Sequence, residues 1–572
     1  MMEQRNLILA VVLSLGILLS FQAFYDYYYP PPVTPTEETK SGAAVPEVPA
    51  PIRDTPRPPS NGAAANGSTA AAVEDARIPI VSGRVRGSIR LQGGRIDDLA
   101  LKAYRETTDP KSPEIVLLHP AASAAPYYAE FGWMSGDSAV ETPGADAVWQ
   151  TTATTLTPDK PITLTWRNDQ GLEFTRRVAL DDAYLFTVTD SVRNASQHDV
   201  TLHPYGLLSR TGTPKTAGFF ILHEGLLGVF DHTLEEIDYD DLAAARVMER
   251  DSPDGWIGIT DKYWQAALIP DPARPSHYRF THRLADGHDK YQVDFLGAGA
   301  TVPAGGTLET TGHFFAGAKE VRLLDRYSNT LNVPLFDRSV DFGWLYFLTK
   351  PIFYLLDYLN TLLGNFGLAI LLMTVLVKLL FYPLANKSYR SMSKMKLLQP
   401  KVMELRERFK DDRASMNKEM MELYKREKIN PLAGCLPVLI QLPVFFALYK
   451  VLFVTIEMRH APFYGWIRDL SAPDPTSIFN LFGLIPWTLP DFLQIGLWPI
   501  VMGITMWAQF KLNPPPADPI QAKLFQLMPI IFTVLLARFP AGLVIYWAWN
   551  NVLSIAQQWM ILRQTSKQSS NA

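Results

Sequence analysis

One lysine stands inside an otherwise apolar run, Leu368-Ala369-Ile370-Leu371-Leu372-Met373-Thr374-Val375-Leu376-Val377-Lys378-Leu379-Leu380-Phe381, and it asks for a chemical reason. Placing a lysine mid-helix in a membrane costs about 2.5–3.5 kcal/mol on insertion scales, so such residues face a wet or polar interior or lift their ammonium to the interface. Leu384 is about six residues further on, roughly 9 Å along a helix, so Lys378 alone leaves those two readings balanced. Elsewhere, Tyr546, Trp547, Asn550, Asn551, Ser554, Gln557 and Gln558 recur at steps of three and four and make a polar stripe on one helical face. Thr374 precedes Lys378 by one turn, while Gln441 and Thr533 each interrupt another apolar run. Polar groups on several helices that cannot face lipid converge on a shared cavity or bond helix to helix. A cation added to such a stripe favours the cavity, whose chemistry is attraction of carboxylates and carbonyls rather than bond making.

Other reactive types give weaker constellations. Ser388 and Ser391 suggest a Ser-Lys pair with Lys378, but both lie beyond Pro383 and no oxyanion donor loop accompanies them. His203, with Glu224 not far off in sequence, has the types of a sugar-site base pair, although a lone histidine in a β domain is usually structural. Cys435 is the only cysteine, so a disulfide framework or thiolate metal cluster within one chain is excluded. A net charge of -4 argues against nucleic-acid binding. No catalytic residue, metal or cofactor is expected.

The elements that must position these residues follow from composition. Mean hydropathy is near zero only because a long polar middle is averaged with apolar ends. Residues 1–25 carry an apolar run long enough to span hydrocarbon; it exceeds a signal-peptide core and lacks an A-x-A-like site, so an uncleaved anchor is expected. Residues 26–77 are rich in Pro, Ala, Thr, Ser and Glu and read as a flexible tether. From 78 to 335, short alternating runs such as Ile162, Leu164, Trp166, then Asn168-Asp169-Gln170-Gly171, then Phe174, Val178, Leu180 predict hairpins of one large β sandwich. The aromatic-rich segment 341–358, interrupted by Lys350, Pro351 and Asp357, suits an interfacial amphipathic helix. Five spans are expected at 359–384, 431–456, 492–510, 524–539 and 541–562, the last two forming a tight hairpin at Phe539-Pro540-Ala541-Gly542. Between them, 385–430 reads as a basic helical hairpin. Its apolar positions Met395, Leu398, Val402, Leu405 and Phe409, then Met416, Met420 and Leu423, are assigned to its core, and Met392 stays open. Loops fall at 457–491 and 511–523, with a tail at 563–572. The positive-inside rule places 385–430 and both termini in the cytoplasm and the β domain outside.

The quoted strings now resemble a known family. Phe381-Tyr382-Pro383-Leu384, Met392-Ser393-Lys394-Met395, Leu398-Gln399-Pro400-Lys401, Glu419-Met420-Met421, Asn430-Pro431-Leu432-Ala433-Gly434-Cys435-Leu436-Pro437, Ile440-Gln441-Leu442-Pro443 and Phe539-Pro540-Ala541-Gly542-Leu543 are similar to the YidC membrane protein insertases, in order and in register. The amino-terminal part resembles the Gram-negative form through Gly255-Trp256-Ile257-Gly258-Ile259 and Tyr263-Trp264. The resemblance implies an α+β membrane protein of the bacterial inner membrane, with a periplasmic β supersandwich similar to the galactose mutarotase fold, a C-terminal five-helix transmembrane bundle and one N-terminal transmembrane anchor. It further implies a cytoplasm-facing groove for nascent membrane proteins, closed toward the periplasm, and docking of the ribosome and the Sec translocon. Groove roles carry over to Lys378, Thr374, Tyr546 and Trp547, with Gln441, Thr533, Asn550 and Ser554 added by the polar pattern. Cytoplasmic docking is assigned to Met392, Lys394, Lys401, Arg406 and Arg408. Two departures stand out: well-known members carry arginine where this chain has Lys378, and only Arg563 and Lys567 follow the last span, where the family often has a longer basic tail. A lysine keeps the charge and loses the planar fork.

The expected function is therefore insertion and folding of membrane proteins from the lipid bilayer's cytoplasmic side, alone or with the translocon. A polytopic small-solute transporter with a periplasmic binding domain is the alternative, weakened by the lack of an internal repeat among the spans. A periplasmic glycan enzyme on an anchor leaves five spans without purpose.

Overall fold

The computed structural model describes residues 76–216, 222–409, 412–427, 436–483, 485, 494–513 and 519–570. The expected anchor at 1–25, nearly all of the tether at 26–77, and Cys435 lie outside the described residues.

Between Arg77 and Ala318 the chain alternates apolar and polar positions, and the described residues there form two antiparallel sheets, one of ten strands and one of eight. The hairpin read from 162–180 pairs Ile162–Arg167 with Leu172–Leu180, setting Ile162 opposite Val178 and Trp166 opposite Phe174. Its turn closes because the Asn168 side-chain oxygen accepts from the backbone N–H groups of Gln170 and Leu172 at 3.0 and 2.8 Å, while Gly171 takes φ +87°. Strand alternation then sends Leu164, Phe174, Val178, Val188 and Phe314 into a shared interior with Trp133, Trp256 and Phe280. Two buried ion pairs, Arg95–Glu130 and Arg176–Asp190, both at 2.7 Å, each tie neighbouring strands within one sheet.

The helices, in chain order, are α1 (Tyr239–Ala245), α2 (Val321–Thr330), α3 (Tyr346–Leu363), α4 (Phe366–Leu380), α5 (Tyr382–Leu397), α6 (Gln399–Arg408), α7 (Arg413–Arg426), α8 (Leu436–Val454), α9 (Leu497–Leu512), α10 (Pro519–Leu536) and α11 (Ala541–Ser570). The amphipathic helix expected at 341–358 is instead α3, which runs on to Leu363. Gly364 stops it in the left-handed region at φ +67°, and Asn365 starts α4 by accepting the Leu368 N–H at 3.1 Å. Residues 359–363 thus belong to α3, and the helix within the stretch expected to span at 359–384 begins at Phe366. That helix also ends early. Phe381 breaks the helix and α5 leaves at 70°, with Pro383 in the first turn of α5, where a missing N–H costs nothing. Among the described residues no single helix is both long and apolar enough to cross a membrane; the bent pair of α4 and α5 reaches that length and composition together.

The β domain and the helices meet along a polar seam. Lys450 of α8 binds Asp341 at 2.9 Å, and Arg459 donates to the Arg105 carbonyl at 2.6 Å while its guanidinium lies 5.8 and 5.4 Å from the rings of Tyr263 and Trp264. Lys262 stands 3.7 Å over the Phe453 ring. Just beyond α8, Glu457 accepts the Val321 N–H, the first amide of α2, at 2.9 Å. Burial, reinforced by Glu320 and Asp357, raises the Glu457 carboxyl to about 7.

A carboxyl raised in the folded state stabilises it fully below the ordinary carboxylate range, near 4.5, and that contribution is lost as pH rises through about 7. The shift corresponds to at most roughly 3 kcal/mol. Glu457→Gln should therefore raise the melting temperature at pH 8 relative to the parent and flatten the parent's decline between pH 5 and 8, read by thermal unfolding of purified full-length protein in detergent. An unchanged profile would remove Glu457 as the pH-sensitive group of the seam.

Candidate functional site

Lys378 occupies the last turn of α4, where a cation also meets the negative end of the helix dipole. Its Nζ donates to Ser554 Oγ of α11 at 2.7 Å, and Ser554 in turn donates to the Asn550 carbonyl at 2.8 Å. No carboxylate among the described residues pairs with it. One hydrogen bond from a charged donor returns roughly 1.5–3 kcal/mol, and an ammonium has three donors, so Ser554 alone leaves much of the solvation requirement unmet. The rest of that requirement falls on whatever enters the space in front of it.

That space is a narrow cavity with about 40 Å³ of room for water-sized molecules. Thr374, Val377 and Lys378 of α4 with Phe381 at its end form one side; Gln441 and Val444 of α8, and Tyr546 and Asn550 of α11, form the others. The 70° bend lays α5 across the end beyond Lys378, so Ala385 and Tyr389 close it there. Trp549 donates to the Leu371 carbonyl at 3.2 Å, which fixes the rotation of α11 against α4. Gln441 lies 3.4 Å from the Tyr546 hydroxyl. Thr374 is buried and gives its proton to Ile370 in its own helix at 2.7 Å, leaving its oxygen an acceptor.

Two expected groove residues are not at this cavity. Thr533 faces α9: it donates to the Pro529 carbonyl at 2.7 Å, and a Cβ placed on Gly503 would stand 2.1 Å from its oxygen, so Gly503 is what allows the two helices to approach. Trp547 lies against Phe445 and Phe532, with ring centroids 4.7 and 5.4 Å away, on a separate aromatic groove. Neighbours on an α-helix point about 100° apart, so Tyr546 and Trp547 cannot share one cavity. The polar stripe divides likewise. Asn550 and Ser554 turn to Lys378, whereas Asn551 bonds Thr505 at 3.2 Å and Gln558 bonds Asn513 at 3.3 Å, holding α11 to α9. The reading missed Tyr389, Phe381 and Val444; the Phe381-Tyr382-Pro383 string was the available signal of a bend that returns the next helix over the site.

Of the expected docking residues, Lys394, Lys401 and Arg408 are exposed, Arg406 is half-buried, and Met392 is half-buried in a small pocket with Tyr389, Lys396, Asn513 and Gln558. Lys401 lies 3.5 Å from Glu427. In the helical hairpin Leu398, Val402 and Leu423 are buried, while Met395, Leu405, Phe409, Met416 and Met420 are only half-buried, so its core is smaller than the spacing suggests. Asp412 starts α7 by accepting from Ala414 and Ser415, both at 3.1 Å. Lys378 pairs with neither Ser388 nor Ser391, and His203 bonds the Gly297 carbonyl at 3.2 Å while Glu224 accepts the Lys262 N–H at 3.1 Å, so neither catalytic pairing forms. The described residues hold no group of three metal-ligating side chains.

Residues 77–355 match the YidC periplasmic domain family, and residues 358–568 match the family of the 60Kd inner membrane protein. The class is thus an inner-membrane protein built from a periplasmic β-sandwich domain and a C-terminal helical region. The membrane protein insertase YidC of Granulibacter bethesdensis is 51% identical over 99% of this chain and 98% of its own length, and that of Methylobacterium nodulans is 51% identical over 98% and 95%. A crystal structure of an active YidC insertase with the first transmembrane domain resolved is similar over 84% of this chain and 91% of that one, at 17% identity and a TM-score of 0.36. The chain belongs to the YidC family of membrane protein insertases. The relatives named here lend the transporter alternative no support.

A wet cavity at Lys378 has a direct chemical readout. In a Cys435→Ala background, Lys378→Cys should be modified rapidly by a charged thiol reagent, whereas Thr533→Cys, packed on Gly503, should react on the order of tenfold or more slowly, since reaction follows thiolate exposure. Mass spectrometry of vesicles treated from either side measures both rates. Equal rates would mean that the cavity excludes water.

Proposed function

We propose that this protein inserts and folds transmembrane segments of newly made proteins in the inner membrane, with the Lys378 cavity receiving the polar part of the incoming segment. The carrying observation is a cation with one neutral hydrogen-bond partner and no carboxylate among the described residues, set in a cavity whose remaining wall is largely apolar. Acidic or carbonyl-rich chain entering there meets fixed charge instead of hydrocarbon, which lowers the cost of moving it. Apolar substrate surface then passes to lipid, a transfer worth about 25 cal/mol per Å², so no nucleotide and no covalent step is required.

In this reading α4, α8, α9, α10 and α11 are the spans, and the expected anchor at 1–25 makes a sixth. Large apolar side chains left uncovered on these helices support it, among them Leu379, Leu380, Phe446, Ile504, Ile530 and Leu535. Both termini lie in the cytoplasm with α5, α6 and α7, whose exposed Lys394, Lys401 and Arg408 offer the ribosome a basic surface. Work with the Sec translocon belongs to the same proposal, as does the assignment of Thr374, Gln441, Tyr546, Asn550 and Ser554 to substrate contact. Thr533 and Trp547 are assigned instead to packing and to the aromatic groove.

The test is insertion of a client with an acidic translocated tail, scored by protease protection in vesicles. Lys378→Arg should insert it as the parent does, Lys378→Ala about tenfold less, and Lys378→Glu least, following charge sign. Equal insertion by all three would end the role given to the charge.

A further inference from the structure

The seam between the β domain and the helices also bounds a groove of about 1360 Å³, separate from the Lys378 cavity. One wall is apolar and comes from the helices: Phe446 and Leu535 are exposed along it, with Tyr449, Phe539 and Trp547 behind. The opposite end is acidic and comes from the β domain. Five carboxylates line it, Glu224, Glu236, Asp238, Asp240 and Asp341, against Lys450 and His223 as the basic groups.

Three of the five are committed. Asp341 holds Lys450 at 2.9 Å, Asp238 lies 3.2 Å from the His223 ring, and Glu224 accepts the Lys262 amide. The Glu236 and Asp240 carboxylates have no direct hydrogen bond or ion pair among the described residues. Burial holds the Glu236 carboxyl above its ordinary range, with Asp341 adding to the effect and the more distant charges of His223, Lys450 and Lys319 opposing it. A groove with more carboxylates than cations at one end, two of them without a direct partner, and an apolar wall fits an amphiphile that carries a cation at its head.

We propose that this groove binds a phospholipid with a primary ammonium headgroup from the periplasmic leaflet, its ammonium on Glu236 and Asp240 and its acyl chains along Phe446 and Leu535. A client span is the poorer fit, because the far-side ends of spans are poor in Lys and Arg, whereas such a lipid brings its ammonium to that level every time. The placement rests on the membrane orientation given under the proposed function. The binding does not require insertase activity, so the two are tested apart.

The experiment uses delipidated full-length protein in detergent, titrated with phosphatidylethanolamine, phosphatidylcholine and phosphatidylglycerol and read by native mass spectrometry. Phosphatidylethanolamine should be retained about tenfold over the other two, the equivalent of one charge-assisted hydrogen bond, and the preference should vanish in Glu236→Gln with Asp240→Asn. Unchanged thermal unfolding of that variant establishes that the β domain is intact; were it to fail, competition of the parent's bound phosphatidylethanolamine by its N-acetylated form gives the same reading, with no competition expected. Equal retention of the three lipids overturns the proposal, as does a preference that survives the substitutions. Displacement of the lipid by a synthetic apolar span with a free amino terminus, but not by its acetylated form, overturns it too and assigns the groove to clients. Insertion by the parent is measured in parallel, so loss of lipid selectivity with insertion intact counts against the lipid site alone.

Discussion

An ammonium on an apolar helix has to find polar company, and the arrangement around Lys378 follows from that requirement. Ser554 supplies one acceptor from α11, and the choice of serine one turn from Asn550 lets the same hydroxyl return its own proton to its helix. The contact brings α4 and α11 together at one point, and Trp549 on Leu371 fixes them at a second, so the rotation of α11 is set. A lysine suits this geometry better than its fork-shaped relative would. It asks for a single acceptor and leaves its other donors to the cavity, whereas a guanidinium presents a planar set of five.

Once that rotation is set, α11 divides its side chains among three tasks. Tyr546 and Asn550 look into the cavity with Ser554 holding Lys378 beside it, Asn551 and Gln558 bind α9 and the residue that follows it, and Trp547 packs among the aromatic rings of the outer groove. The helix is therefore the shared wall of two spaces of opposite character, one holding a cation and the other rimmed by carboxylates. Any tilt of α11 that opens the first changes the packing of the second, because Tyr546 and Trp547 are consecutive residues of one rigid element.

Much of this was legible in the residues, and the parts that were not share a cause. Strand alternation and the Asn168 to Gly171 turn gave the hairpin register, since both depend on local chemistry. Periodicity placed Asn550 and Ser554 on the face that meets Lys378. Thr533 was misassigned because its direction depends on which neighbour α10 packs against, and that is decided by the absence of a side chain at Gly503, on another helix. The end of α3 lies five residues beyond the expected bound because Leu359, Leu362 and Leu363 continue its apolar character to Gly364, where the left-handed backbone of that glycine and the Asn365 cap separate two helices. Tyr263-Trp264 was visible as a family string, but its role as the platform for Arg459 depends on residues nearly two hundred positions away.

The charges of the seam differ from the charge of the cavity in the way that matters for work. Lys450 with Asp341, and Arg459 with the Arg105 carbonyl and two aromatic rings, have partners in place; removing one partner leaves the other buried and uncompensated, so these contacts resist opening. Glu457 adds a capping contact to α2 whose strength follows protonation, coupling the periplasmic domain to the end of α8. Lys378 has a neutral partner only, and so its site gains most when something anionic arrives. A frame held by satisfied charges around a cavity with an unsatisfied one keeps the response to an incoming chain local, at the face where α4, α8 and α11 meet. The β domain can then brace the far end of α8 without having to move when the cavity fills.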